Sequence, residues 1–110
     1  MAVNYLSHWL LTYHFLPLLQ KTAENSRPDD FRIVNVTSMG HALFTPEGGI
    51  VFENIKLESA SAMTRYGQSK LANIFYAKEL TRKFGVLGEG KNGSRSEIWV
   101  AAVHPGNIET

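Results

Sequence analysis

Cysteine is absent from the 110 residues, which excludes a disulfide framework and any site built on thiolate chemistry, metal or redox. Neither sign of charge prevails. Eleven Lys and Arg stand against ten Asp and Glu, for a net charge of +1, so no broad basic field exists to hold nucleic acid or an anionic membrane. A long apolar run is also missing. The richest stretch, Leu6 to Leu19, is interrupted by His8, His14 and Pro17 and falls short of the roughly 20 apolar residues of a membrane span. Around it there is neither a basic leader nor a small-residue cleavage site, so a secretory signal does not fit. The expectation is a soluble, cytoplasmic protein. Hydrophobic residues at 44% and charged residues at 19% are enough for a core and too apolar for a disordered chain. The length allows one domain at most.

Val3 to about Thr22 reads as a helix that is apolar nearly all round (Leu6, Trp9, Leu10, Tyr13, Phe15, Leu16, Leu18, Leu19), which predicts cover on both sides. Pro17 lacks an N–H and predicts a kink or an early end. A polar connection, Glu24 to Asp30, leads to a β-rich run, Phe31 to Val36, that stops at Thr37, Ser38 and Gly40. Met39 to Ala62 shows no helical period and carries Pro46, Gly48 and Gly49, so it reads as a long surface loop with a short hairpin around Ile50 to Phe52.

A second helix is predicted from about Met63 to Phe84, where Leu71, Ile74, Ala77, Leu80 and Phe84 recur at steps of three or four and Gly85 follows as a cap. The glycine-rich segment Val86 to Ser96 reads as a flexible connection. Ile98 to Val103 is a continuous apolar run ending at His104, Pro105 and Gly106, as suits a strand buried on both faces of a parallel sheet. Helix, strand, loop, helix, strand is the order of a parallel α/β crossover. With two strands only, it corresponds to part of a doubly wound sheet.

Tyr66 and Lys70 are spaced to share one face of the second helix, about 6 Å apart along its axis. An ammonium beside a phenol favours the phenolate and fits the pair to exchange a proton with an alcohol or carbonyl oxygen. Ser38 closes the first strand, where parallel sheets present ligand sites, and its hydroxyl can bond the same oxygen. Each part also has a plainer explanation. Among four tyrosines and six lysines a Tyr-x-x-x-Lys pair arises by chance about 0.2 times. Ser38 can simply satisfy a strand end, Asn4 can cap the first helix, and His104-Pro105-Gly106 can be only a turn. A zinc site from His8, His14, His41 and His104 fits poorly, because His8 and His14, six apart, face different sides of a helix; no metal is expected.

Joint order and phrasing go further. Asn4 in VNYLSH, Ser38 in RIVNVTS, Tyr66 and Lys70 in YGQSK, and Pro105, Gly106 and Thr110 in HPGNIET resemble the short-chain dehydrogenase/reductase family over nearly the whole chain. YGQSKLAN, AAVHPG and the long interval between Ser38 and Tyr66 look most like its retinol-dehydrogenase-like branch, including fungal members. The resemblance implies a partial Rossmann-like, doubly wound α/β sheet, with residues 1–110 as the catalytic middle of one NAD(P)-binding domain, incomplete at both ends.

It implies Tyr66 as acid/base, Lys70 as the group that eases its ionisation and holds the nicotinamide ribose, Ser38 as a partner of the substrate oxygen, and Asn4 as the holder of a relay water. Pro105, Gly106, Ile108 and Thr110 would add cofactor contacts. The cofactor would be NAD or NADP and the substrate a small hydrophobic alcohol or carbonyl compound, with a homo-oligomer forming through the two helices. The sequence departs from the family in having no Gly-x-x-x-Gly-x-Gly loop and no Asn-Asn-Ala-Gly segment. A cofactor pyrophosphate loses its donors without that loop, so the expectation is a fragment of a longer dehydrogenase, weak in binding and turnover by itself. The alternative is a non-catalytic interaction module that pairs with a full-length relative.

Overall fold

The computed structural model describes residues 1–26, 30–85 and 98–106. The chain opens with a π-helical turn, Ala2–Leu6, that runs into α1, Ser7–Ala23. Both Tyr5 and Leu6 donate their N–H groups to the Met1 carbonyl, and the Ser7 N–H reaches back to Ala2. Asn4 therefore lies inside the first turn, and Met1 holds the capping position. Pro17 sits within α1, which continues to Ala23, so the early end predicted there does not occur. The helix is also less covered than its composition predicts. Leu10, Leu11, Tyr13, Phe15 and Leu18 are each about half exposed or more; Trp9, Tyr13 and Leu16 line an open groove shared with α3, Ala62–Phe84.

Strand β1, Phe31–Val36, and strand β2, Ile98–Val103, have the bounds expected from their β-rich composition. They pair in parallel from Phe31 with Ile98 to Val36 with Val103. Both end at one level, and the Thr37 N–H extends the ladder by one step to the Val103 carbonyl at 2.9 Å. Phe31, Ile33 and Asn35 point to the covered face of β1, while Arg32, Val34 and Val36 are exposed. In β2 Ile98 is fully buried, whereas Trp99 is half exposed. The expectation of a strand buried on both faces is thus not met: Trp99, Ala101, Ala102 and Val103 are exposed.

Two corrections fall in the segment between β1 and α3. The expected uninterrupted loop contains a one-turn helix α2, Gly40–Leu43. The hairpin expected around Ile50 to Phe52 does not form. Gln68 on α3 replaces it as the anchor: its Oε1 accepts from the Val51 N–H at 2.8 Å and its Nε2 donates to the Ile55 carbonyl at 3.1 Å. A side-chain amide with both functions met inside the fold holds the segment without a strand ladder. The connection read over Val86 to Ser96 lies outside the described residues.

Helix α3 starts as an N-cap should, with the Ser61 hydroxyl accepting the Thr64 N–H at 3.0 Å. It stops at Gly85, whose N–H returns to the Thr81 carbonyl. Gly85 is extended there, with φ −75°, and a Cβ would come within 2.5 Å of the Thr81 oxygen, so close approach and not a left-handed turn calls for glycine. The inward face of α3 is small and polar as much as apolar: Gly67, Gln68, Ser69, Ala72, Asn73, Ala77 and Leu80 are buried. Gly67 lets α2 in. A Cβ on it would lie 2.8 Å from the Gly40 carbonyl oxygen and equally close to Phe44 and Thr45 backbone atoms.

Backbone cannot yield to such a contact as a flexible side chain can, so Gly67→Ala is expected to destabilise the chain by about 1–3 kcal/mol, read as a lower denaturant midpoint. Tyr5 and Tyr76 meet edge to face at 6.0 Å between α1's leading turn and α3. Burial pushes both phenols above their ordinary value, and for Tyr76 this outweighs a Thr12 hydrogen bond that acts the other way. In the unfolded chain both ionise near pH 10; the folded state then keeps protons that the unfolded state has lost. Stability contributed by this pair is therefore complete below about pH 10 and declines as pH rises through the folded values. Denaturation midpoints across pH 9 to 11 should fall, and Tyr5→Phe should flatten that fall.

Candidate active site

Parallel pairing in register brings the segments after β1 and β2 out side by side, and α3 crosses the same edge. Between them lies an open cleft of about 510 Å³, lined by Val36, Thr37, Ser38, Tyr66, Lys70, His104, Pro105 and Gly106. Five residues singled out in the sequence, Ser38, Tyr66, Lys70, Pro105 and Gly106, meet in this one place. Asn4 does not line it. Its Nδ2 donates to the Ser69 hydroxyl at 3.2 Å, and that hydroxyl donates in turn to the Tyr66 carbonyl at 2.7 Å. Ile108 and Thr110 lie outside the described residues.

Lys70 is held through both its side chain and its backbone. Its Nζ donates to the Val36 carbonyl at 3.1 Å and lies 5.5 Å from the centre of the Tyr66 ring. Its own carbonyl accepts the Thr37 hydroxyl at 2.9 Å. The last residue of β1 and the one after it thus fix the turn of α3 that carries the ammonium. An ammonium has three donors, and the Val36 bond uses one, so others remain for a ligand in the cleft.

Ser38 is prepared by α2. Its Oγ accepts the Gly40 N–H at 3.2 Å, and its carbonyl accepts the His41 N–H at 3.0 Å with His41 Nδ1 2.6 Å away. A hydroxyl that already accepts keeps its own proton to donate. Gly40 also makes room for the phenol ring, since a Cβ there would stand 2.9 Å from Cε1 of Tyr66. Gly106 has φ +91° with nothing within 4 Å of a built Cβ, and it leaves the cleft's far wall free of side chain. The arrangement offers a phenol, a hydroxyl and an ammonium to one small oxygen-bearing ligand at the carboxyl ends of parallel strands.

Thr37, Gly40 and His104 belong to the site, although the expected set omits them. Glycine at Gly67, in mid-helix at a cost of about 1 kcal/mol relative to alanine, is a signal of close approach that points to α2. Thr37 could be suspected from its position beside Ser38. His104 enters the sequence reading only through the turn it begins and a zinc set that fits poorly.

Comparison with known proteins agrees with these motifs. The chain is 48% identical, over 97% of its length, to the short-chain dehydrogenase/reductase drtF of Aspergillus calidoustus, covering 34% of that protein. It is 38% identical over 99% of its length to the short-chain dehydrogenase TIC 32 A of Brassica napus, named as chloroplastic, of which it covers 32%. It is 37% identical over 99% of its length to mouse retinol dehydrogenase 11, of which it covers 29%. Over nearly its whole length the chain is a homologue of proteins named short-chain dehydrogenases/reductases, the family that its motifs resemble. It spans about a third of the length of these relatives. No family model and no solved structure matches it. No described helix is long and apolar enough to cross a membrane.

The Thr37 hydroxyl is the fastening that is easiest to remove. Thr37→Val keeps the shape and deletes the bond to the Lys70 carbonyl, and is expected to cost about 0.5–1.5 kcal/mol, measured from denaturant midpoints.

Proposed function

We propose that this chain carries the proton-transfer part of an NAD(P)-dependent oxidoreductase that interconverts a small hydrophobic alcohol and its carbonyl compound. The observation that supports it most is the convergence of Ser38, Tyr66 and Lys70 on one cleft at the strand ends. The nicotinamide half of a cofactor suits this cleft: Lys70 retains free donors for ribose hydroxyls, and Gly106 leaves open backbone where a flat ring must come close. When bound, the cofactor supplies or accepts the hydride.

In reduction, the Tyr66 phenol gives its proton to the carbonyl oxygen as negative charge develops there. The Ser38 hydroxyl donates to the same oxygen, and this second donor orients it. Lys70, close to the ring, stabilises the phenolate left behind. In oxidation the phenolate takes the alcohol proton and the same contacts run in reverse. Asn4 takes the part of a residue that holds a relay water beside α3. Pro105 and Gly106 would hold the nicotinamide end of the cofactor; Ile108 and Thr110, expected as further cofactor contacts, lie outside the described residues. The glycine-rich phosphate loop has no counterpart in the sequence, so the 110-residue chain binds NAD(P) weakly and turns over slowly.

A second reading, a non-catalytic module that pairs with a full-length relative or with itself, draws on the exposed apolar residues of α1, Leu10, Leu11, Phe15 and Leu18. Exposed apolar surface of that extent favours association. The two readings differ in what Tyr66 is for. With NADPH or NADH at millimolar concentration and a hydrophobic aldehyde, the chain should oxidise cofactor slowly, and Tyr66→Phe should lower that rate by about 10²–10⁴-fold. Cofactor should also raise the unfolding temperature of both proteins. Oxidation that Tyr66→Phe leaves unchanged, or no oxidation and no thermal shift, would refute the enzymatic reading.

A further inference from the structure

Asn73 has no part in the chemistry above, yet its side chain is fully buried. It lies three residues beyond Lys70, on the same side of α3. Its Nδ2 donates to the Asn4 carbonyl at 3.0 Å and to the Val36 carbonyl at 3.3 Å. The second of these oxygens is the one that also receives the Lys70 ammonium. A carbonyl oxygen has two lone pairs, and at Val36 the two donors share them. The Asn73 Oδ1 has no hydrogen-bond partner among the described residues. Leaving a buried acceptor unmet is unfavourable, so the packing of this side chain is decided by its amide donors. Leucine would fill a similar space without that cost.

We propose that Asn73 is a positioning residue for Lys70. By occupying the Asn4 carbonyl and one side of the Val36 carbonyl, it leaves the ammonium only the side of Val36 that faces the cleft. Without those donors the Asn4 carbonyl loses its side-chain partner and the Val36 carbonyl keeps Lys70 alone, and Lys70 turns inward toward the side that Asn73 had occupied. The ammonium then leaves the neighbourhood of Tyr66 and the cleft. Asn73 in this way couples the turn that carries Asn4 to the lysine on α3, through backbone carbonyls. The proposal deepens the functional reading and rests on it for the role of Lys70, but not for the position of its side chain.

Position can be read without turnover. The chain and its Asn73→Leu variant are exposed to a trace of acetic anhydride, and acetylation of Lys70 is measured by mass spectrometry relative to Lys56, whose side chain is 77% exposed. The expected result is at least a threefold fall in the Lys70 to Lys56 ratio in Asn73→Leu. Asn73→Ser keeps one donor too short to span both carbonyls; it should give a smaller fall, and it decides the matter if the leucine variant does not fold. A role confined to stability would lower the unfolding temperature and leave the ratio unchanged, and that outcome overturns the proposal. If the ratio falls while neither protein oxidises NADH or NADPH, the positioning stands and the enzymatic reading fails.

Discussion

The carbonyl of Val36, at the last rung of β1, is the point on which the cleft depends. It accepts from Lys70 and from Asn73, and the residue after it, Thr37, joins β2 through its N–H and α3 through its hydroxyl. Strand end, neighbouring strand and helix are thereby tied within two residues. Each of these bonds is modest in isolation, near 1 kcal/mol. Their value lies in geometry, because an ammonium on a four-carbon stem has no fixed place unless its surroundings supply one.

Close approach is the second constraint. Glycines at positions 40 and 67 let α2 lie against α3 and the Tyr66 ring lie against α2. The short helix in turn presents the Gly40 N–H to Ser38. The phenol and the hydroxyl are therefore placed by one contact between helices, while the ammonium is placed by the strand end. Apolar burial is thin by comparison. Ala72, Ala77, Leu80 and Ile98 make up much of the buried apolar set, and Gln68, Ser69 and Asn73 are buried beside them. A core of this kind depends on polar groups being satisfied as well as on area removed from water.

Both strands, the second helix and the shared face of Tyr66 and Lys70 were legible from the chain because each rests on local pattern, whereas the grouping of Ser38 with that pair came from the family resemblance. Runs of β-branched residues end at turn formers, and a helical period sets Tyr66 and Lys70 on one face. What was not legible depended on partners far along the chain. The one-turn helix α2 is too short to show a period, and it is held by Gly67, distant in sequence. The hairpin expected near Val51 is replaced by an amide of Gln68 that meets the backbone groups. The apolar composition of α1 and β2 predicts burial, but burial also requires a neighbour, and composition does not supply one.

By itself the sequence determined the order of elements, the parallel sense of the two strands and the absence of thiol chemistry. These follow from residue type and spacing, which act over a few residues. Only the tertiary structure decided that Asn4 bonds to Ser69 and lies off the cleft, that Thr37 bonds the Lys70 carbonyl while Asn73 shares the Val36 carbonyl with the Lys70 ammonium, and that Gly40 makes room for Tyr66. Those outcomes depend on which carbonyl meets which donor across elements some 30 to 70 residues apart in the chain, and no local pattern encodes that distance.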